Sequence, residues 1–106
     1  MITRGTCFRV ATTTAQDVFG DCVYRIEEVG LPAPEAYRKG EMDGVRCRML
    51  GGSGPSAHAG RVLMDSEFAI RGYLSQGIAK IITEERALAM GKSWEDRNPA
   101  LGQELT

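Results

Sequence analysis

The chain has 106 residues, 42% hydrophobic and 25% charged, with 13 Lys+Arg against 14 Asp+Glu for a formal net charge of −1. That length suits one domain, and the apolar share is enough to offset the entropy of ordering it, which excludes a disordered polypeptide. Near-neutrality argues against nucleic acid as a partner and leaves only a local arginine face for it, and no segment approaches the roughly 18 consecutive apolar residues of a membrane span.

The first two-thirds of the chain read as strands. Thr6–Thr13 is rich in β-branched residues, with Phe8, Val10 and Thr12 on one face and Cys7, Arg9 and Ala11 on the other. Residues 14–17 connect it to Cys22–Val29, where Cys22, Tyr24 and Ile26 share a face opposite Arg25 and Glu27. A hairpin between these two strands is the simplest pairing. Pro32 and Pro34 then interrupt the ladder, and residues 34–39 have room for one helical turn. Asp43-Gly44 turns the chain into Val45–Leu50, whose alternation is the clearest of all: Val45, Cys47 and Met49 inward, Arg46 and Arg48 outward. The small residues of Gly51–Gly60 follow, and Arg61–Met64 returns as a short strand.

The last third changes period. Asp65 or Ser66 caps a helix beginning at Glu67, and Gly77 ends it by a Schellman turn. Ala79–Ile82 then forms a further strand, and Thr83-Glu84-Glu85 opens a second helix through Met90. A continuous helix through the same residues is the competing reading, because Ile70, Tyr73, Leu74, Ile78 and Ile81 also recur at helical spacing. The expected fold is α+β: a small antiparallel sheet of four to five strands, open or curled toward a barrel, with one or two C-terminal helices covering one face. Residues 1–91 form the domain. Residues 92–106 are an irregular tail, docked through Trp94 on the core or on a second subunit.

Three cysteines, Cys7, Cys22 and Cys47, cannot all pair within one chain, and each alternates with polar neighbours as a buried small hydrophobe does. The first ten residues hold no apolar block of a secretory leader, so a reduced, soluble, cytoplasmic protein is expected. Self-association as a homodimer is expected from the thin core of so short a chain and its interface-prone Tyr, Trp, Met and Arg residues.

The Gly51–Gly60 segment is the candidate site. Gly51, Gly52, Ser53 and Gly54 let backbone N–H groups converge on an anion, and Arg46, Arg48, His58 and Arg61 flank them. Specific motifs fail there. No Lys-Ser or Lys-Thr follows the glycines as in a phosphate-binding P-loop, Ala57 replaces the third glycine of a dinucleotide fingerprint, and Pro55 replaces the last glycine of a nucleophile elbow around Ser53. His58, the only histidine, can be paired with Cys47 as base and nucleophile, with Asp65 or Glu67 orienting it, if a cleft forms between subunits. A zinc site from the three cysteines and His58 lacks a close Cys-x₂₋₄-Cys pair, so neither metal nor cofactor is expected. Glu27-Glu28 occupy adjacent strand positions facing opposite sides, and Glu84-Glu85 compensate a helix dipole. The functional expectation is a non-catalytic module binding a small anionic ligand or a protein partner near this loop. A small enzyme using His58 and Cys47 is the alternative.

Overall fold

Side chains along Gly44–Gly52 (β3) alternate between buried and half-buried, with Val45, Cys47 and Met49 at 3% exposure or less. A strand with one face in a core produces that period. The computed structural model describes residues 2–11, 20–34, 40–54 and 57–97. The other strands are Cys7–Val10 (β1), Cys22–Leu31 (β2), Val62–Ser66 (β4) and Ala79–Ile82 (β5), and the helices are Glu67–Ser75 (α1) and Glu84–Arg97 (α2). The strands form one sheet in the order β4-β3-β2-β1-β5, with every neighbouring pair antiparallel. The α+β expectation therefore holds, with an open sheet and not a barrel. Among the described residues its edges are β4 and β5.

The β1–β2 hairpin forms as the alternation predicts, with Cys7 opposite Arg25 and Val10 opposite Cys22. Ser66 is the α1 N-cap: its Oγ accepts the Ala69 N–H at 3.0 Å. At the other end the Ile78 N–H donates to the Tyr73 carbonyl and the Gly77 N–H to that of Leu74, at 3.0 and 3.2 Å. These are the two bonds of a Schellman turn, and Gly77 takes its left-handed position at φ 77°. Helix, strand and helix follow one another, and the continuous helix does not form.

Two features differ from expectation. The helices cover opposite faces of the sheet instead of sharing one. Ile70 of α1 packs with Phe8, Ile26, Val45 and Cys47, while Ala87 of α2 packs with Cys7 and Val23. Successive residues such as Cys7 and Phe8 point to opposite faces, so both halves of the alternation are used. In addition, α2 continues past Met90 to Arg97, so residues 92–97 are helical and not an irregular tail. Gly91 does not stop the helix. It lies so close to β3 that a Cβ there would meet the Leu50 carbonyl, and a Cβ on Gly51 would come within 2.6 Å of the Gly91 Cα. Beyond that contact the half-buried Trp94 packs on the Cys7–Val23–Ala87 cluster, which is the docking on the core that its position suggested. The expectations for residues 12–19, 35–39, 55–56 and 98–106 lie outside the described residues.

Candidate functional site

Gly51 and Gly52 belong to the end of β3, opposite Val23 and Cys22. Three amides of the loop beyond them turn back on the protein. The Ser53 N–H donates to the Asp21 carbonyl at 2.8 Å, while the Ser53 Oγ accepts the Asp21 N–H at 2.9 Å. The Ala57 N–H donates to the Gly54 carbonyl at 3.2 Å, and the Gly60 N–H to that of Met49 at 2.8 Å. These three amides are thus committed to internal partners and do not converge on a common point. Gly54 is buried, and His58 lies exposed beyond it.

The flanking arginines are engaged too. Arg46 pairs with Glu28 at 2.9 Å, and Arg48 with Glu27 at 2.8 Å while also donating to the Gly60 carbonyl at 3.1 Å. Arg25 bridges Glu27 and Glu84 at 3.4 and 3.2 Å. The two glutamates were expected on opposite sides of their strand. The β2–β3 register shifts between Ile26 and Glu28, and with it both carboxylates reach arginines of β3. Each pair is solvent-screened and contributes about 0.2–1 kcal/mol, so their main effect is to cancel charge where an anion would bind.

The Arg48 hydrogen bond holds the Glu27 carboxyl below the usual carboxylate range, with Arg25 adding to it against the opposing effect of burial. A depressed carboxyl contributes stability that is present above its unfolded-state value and lost as pH falls through the folded one. Lowering the pH from about 6 through the carboxylate range near 4 is therefore expected to reduce the urea midpoint more in the native protein than in Glu27→Gln. Equal pH slopes in the two proteins would contradict it.

Cys47 lies on the α1-covered face at 3% exposure, and burial, with Asp65 and Glu27 adding, pushes its thiol up to about 12. At neutral pH it is a thiol inside the core, whereas His58 is outside in solvent. Asp65, half-buried, accepts the Ser66 N–H at 2.8 Å. These residues supply no thiolate nucleophile. The three cysteines are buried and in no disulfide, but Cys7 faces α2 while Cys47 faces α1. Among the described residues no group of three or more His, Cys, Asp or Glu is placed to hold a metal ion, and no helix is long and apolar enough to cross a membrane.

What residue spacing did not disclose is an apolar rim along the β4 edge. Val62 and Met64 of β4 are 46% and 48% exposed, and Phe68, in the first turn of α1, is 65% exposed. Met42, 62% exposed, precedes Asp43, whose carbonyl accepts the Glu67 N–H at 2.7 Å beside the start of α1. The signal in the sequence was the run Val62-Leu63-Met64, but nothing local reveals that this strand is an edge. At the opposite edge a shallow depression is lined by Ile81, Ile82, Thr83 and Arg86. Comparison with protein-family models, with curated proteins and with solved structures yields no match.

Proposed function

We propose that the chain is a non-catalytic binding module whose ligand is a protein, taken along the β4 edge that follows the glycine-rich loop. The observation that carries this reading is the set of large apolar side chains, Met42, Val62, Met64 and Phe68, left open at one end of the sheet. Scattered single apolar residues are ordinary on a surface, but four around one strand edge mark an interaction site. An edge strand adds unpaired backbone donors and acceptors, so a partner gains both apolar burial and main-chain hydrogen bonds. Of the two ligand types open at the sequence level, the small anion is disfavoured. To bind at Arg46 and Arg48 it would have to displace Glu28 and Glu27, and the Ser53, Ala57 and Gly60 amides are already used. Localisation in the cytoplasm fits three cysteines in no disulfide and belongs to the same proposal.

The test is site-specific photocrosslinking in cells, with a photoreactive phenylalanine analogue at position 68 or position 88. Both native residues are exposed, but Leu88 lies on α2, which packs on β1, β2 and β3. The expected result is a discrete protein adduct from position 68 and none from position 88. Absence of any adduct from position 68, together with thermal stabilisation by phosphate or carboxylate ligands that is abolished by Arg46→Ala, would replace this reading with the anion site.

A further inference from the structure

The segment Arg61-Val62-Leu63-Met64-Asp65 is complementary to an antiparallel copy of itself: a cation at one end, an anion at the other, three apolar residues between. From this, and from its place at an open edge, we infer that the partner of β4 is β4 of a second copy of the chain, paired antiparallel about a two-fold axis at Leu63. The inference rests on the docking-edge reading above and names its occupant.

The backbone has the required phase. The Met49 N–H donates to the Arg61 carbonyl and the Met49 carbonyl accepts the Gly60 N–H, so Met49 turns its peptide groups toward the β4 side. By strand alternation Cys47 and Val45 do the same, and they are paired with Leu63 and Asp65. The N–H and C=O groups of Val62 and Met64 therefore point away from β3, across the open edge. An antiparallel pair centred on Leu63 places Val62 opposite Met64 of the second copy, and Met64 opposite its Val62. These are the residues whose outward peptide groups would bond one another. Their side chains share one sheet face with Arg46 and Arg48, opposite which they stand in the β3–β4 ladder. Both are about half exposed and would cover each other across the seam.

Charge decides the register. Centred on Leu63, the pairing sets Arg61 opposite Asp65 of the second copy and Asp65 opposite its Arg61, two opposite-charge cross-strand pairs related by symmetry. Moving the axis to Met64 would oppose Val62 to Ser66 and Arg61 to Glu67, which is already in α1 and paired with Arg71, so both strand ion pairs would be lost. The other sheet edge lacks this complementarity. β5 has four residues, and a two-fold axis at Lys80 would oppose two lysines, the kind of edge charge that blocks pairing. Joining two β4 strands gives a continuous ten-stranded sheet from two five-stranded ones.

Analytical ultracentrifugation over a concentration series tests the assignment. The native chain is expected to show a reversible monomer–dimer equilibrium. Arg61→Asp places like charges opposite each other twice per dimer and should raise the dissociation constant about tenfold or more. Asp65→Arg should do the same, and an equimolar mixture of the two variants should associate better than either alone, because each then faces its opposite charge. Should Asp65→Arg not fold, Val62→Pro serves. It removes an outward N–H at the first residue of an edge strand, leaving the β3–β4 ladder intact, and should yield a folded monomer. A native chain that is monomeric throughout, or a dimer unaffected by both Arg61→Asp and Val62→Pro, would overturn the inference. A monomer whose position 68 still crosslinks to a different protein refutes the two-fold pairing but leaves the docking edge standing. A monomer with no crosslink removes both.

Discussion

Gly91→Val is expected to destabilise the protein by about 3 kcal/mol or more, at the upper end of what overpacking a close contact costs. The clash would be with the Leu50 carbonyl and the Gly51 backbone, and neither can rotate away as a side chain could. The helix would have to lift from β3, drawing Met90 and Trp94 off the Cys7–Val23–Ala87 cluster. Even Gly91→Ala should destabilise. Its gain in helix propensity is about 1 kcal/mol, which does not offset forcing two backbones apart. The internal control is Gly72→Ala. Gly72 is also inside a helix, but a Cβ there meets nothing within 4 Å, so this change should stabilise by about 0.5–1 kcal/mol. Urea unfolding of the three variants measures the difference. Opposite signs for the two alanine substitutions are expected, and a stabilised Gly91→Ala would show that the α2–β3 approach is not a tight contact.

Ile26→Ala should cost about 2–5 kcal/mol, the range for truncating a fully buried aliphatic side chain. Ile26 has 0% exposure in β2, the central strand, between Cys47 on β3 and the α1 side chain Ile70. A domain of this length holds only about 5–15 kcal/mol of stability in total, so the variant should lose a large part of it and unfold at markedly lower urea. Leu88→Ala, at a position 47% exposed, should shift stability by no more than about 0.5 kcal/mol. Similar losses at the two positions would mean that the core beneath α1 is not where the burial places it.

Local chemistry made much of this architecture readable. The alternation of Val45, Cys47 and Met49 with Arg46 and Arg48 specified both the strand and its buried face, because a period of two has one interpretation when half the residues are apolar. Ser66 and Gly77 marked the bounds of α1 because each meets a need of the helix end itself, a side-chain acceptor and a left-handed backbone. Gly91 shows where such reasoning runs out. A glycine near a helical segment is equally suited to ending the helix or to letting another backbone approach, and only the position of Leu50 and Gly51 across the sheet decides between them. The same limit explains why the helices were assigned to a single face.

The candidate site was less legible. Arg46 and Arg48 were recognisable as outward-facing cations, but their pairing with Glu28 and Glu27 depends on a register shift in β2–β3 that no spacing rule announces. The glycine-rich loop drew notice for its conformational freedom, yet its Ser53, Ala57 and Gly60 amides bond to carbonyls of the protein itself. The apolar run in β4 resembled any short core strand until the strand order placed it at an edge. Edges are a property of topology, so sequence patterns show them last.

The open β4 edge is tested most directly by residue-resolved amide exchange, followed by NMR at a low and a high protein concentration. The N–H groups of Leu63 and Asp65 face β3 and should exchange slowly at both. Those of Val62 and Met64 face outward and should exchange fast in dilute solution, slowing as the two-fold pairing forms at high concentration. Val62 and Met64 amides that exchange at the same rate at both concentrations would contradict the pairing, and protection of all four in the dilute monomer would contradict the open edge itself.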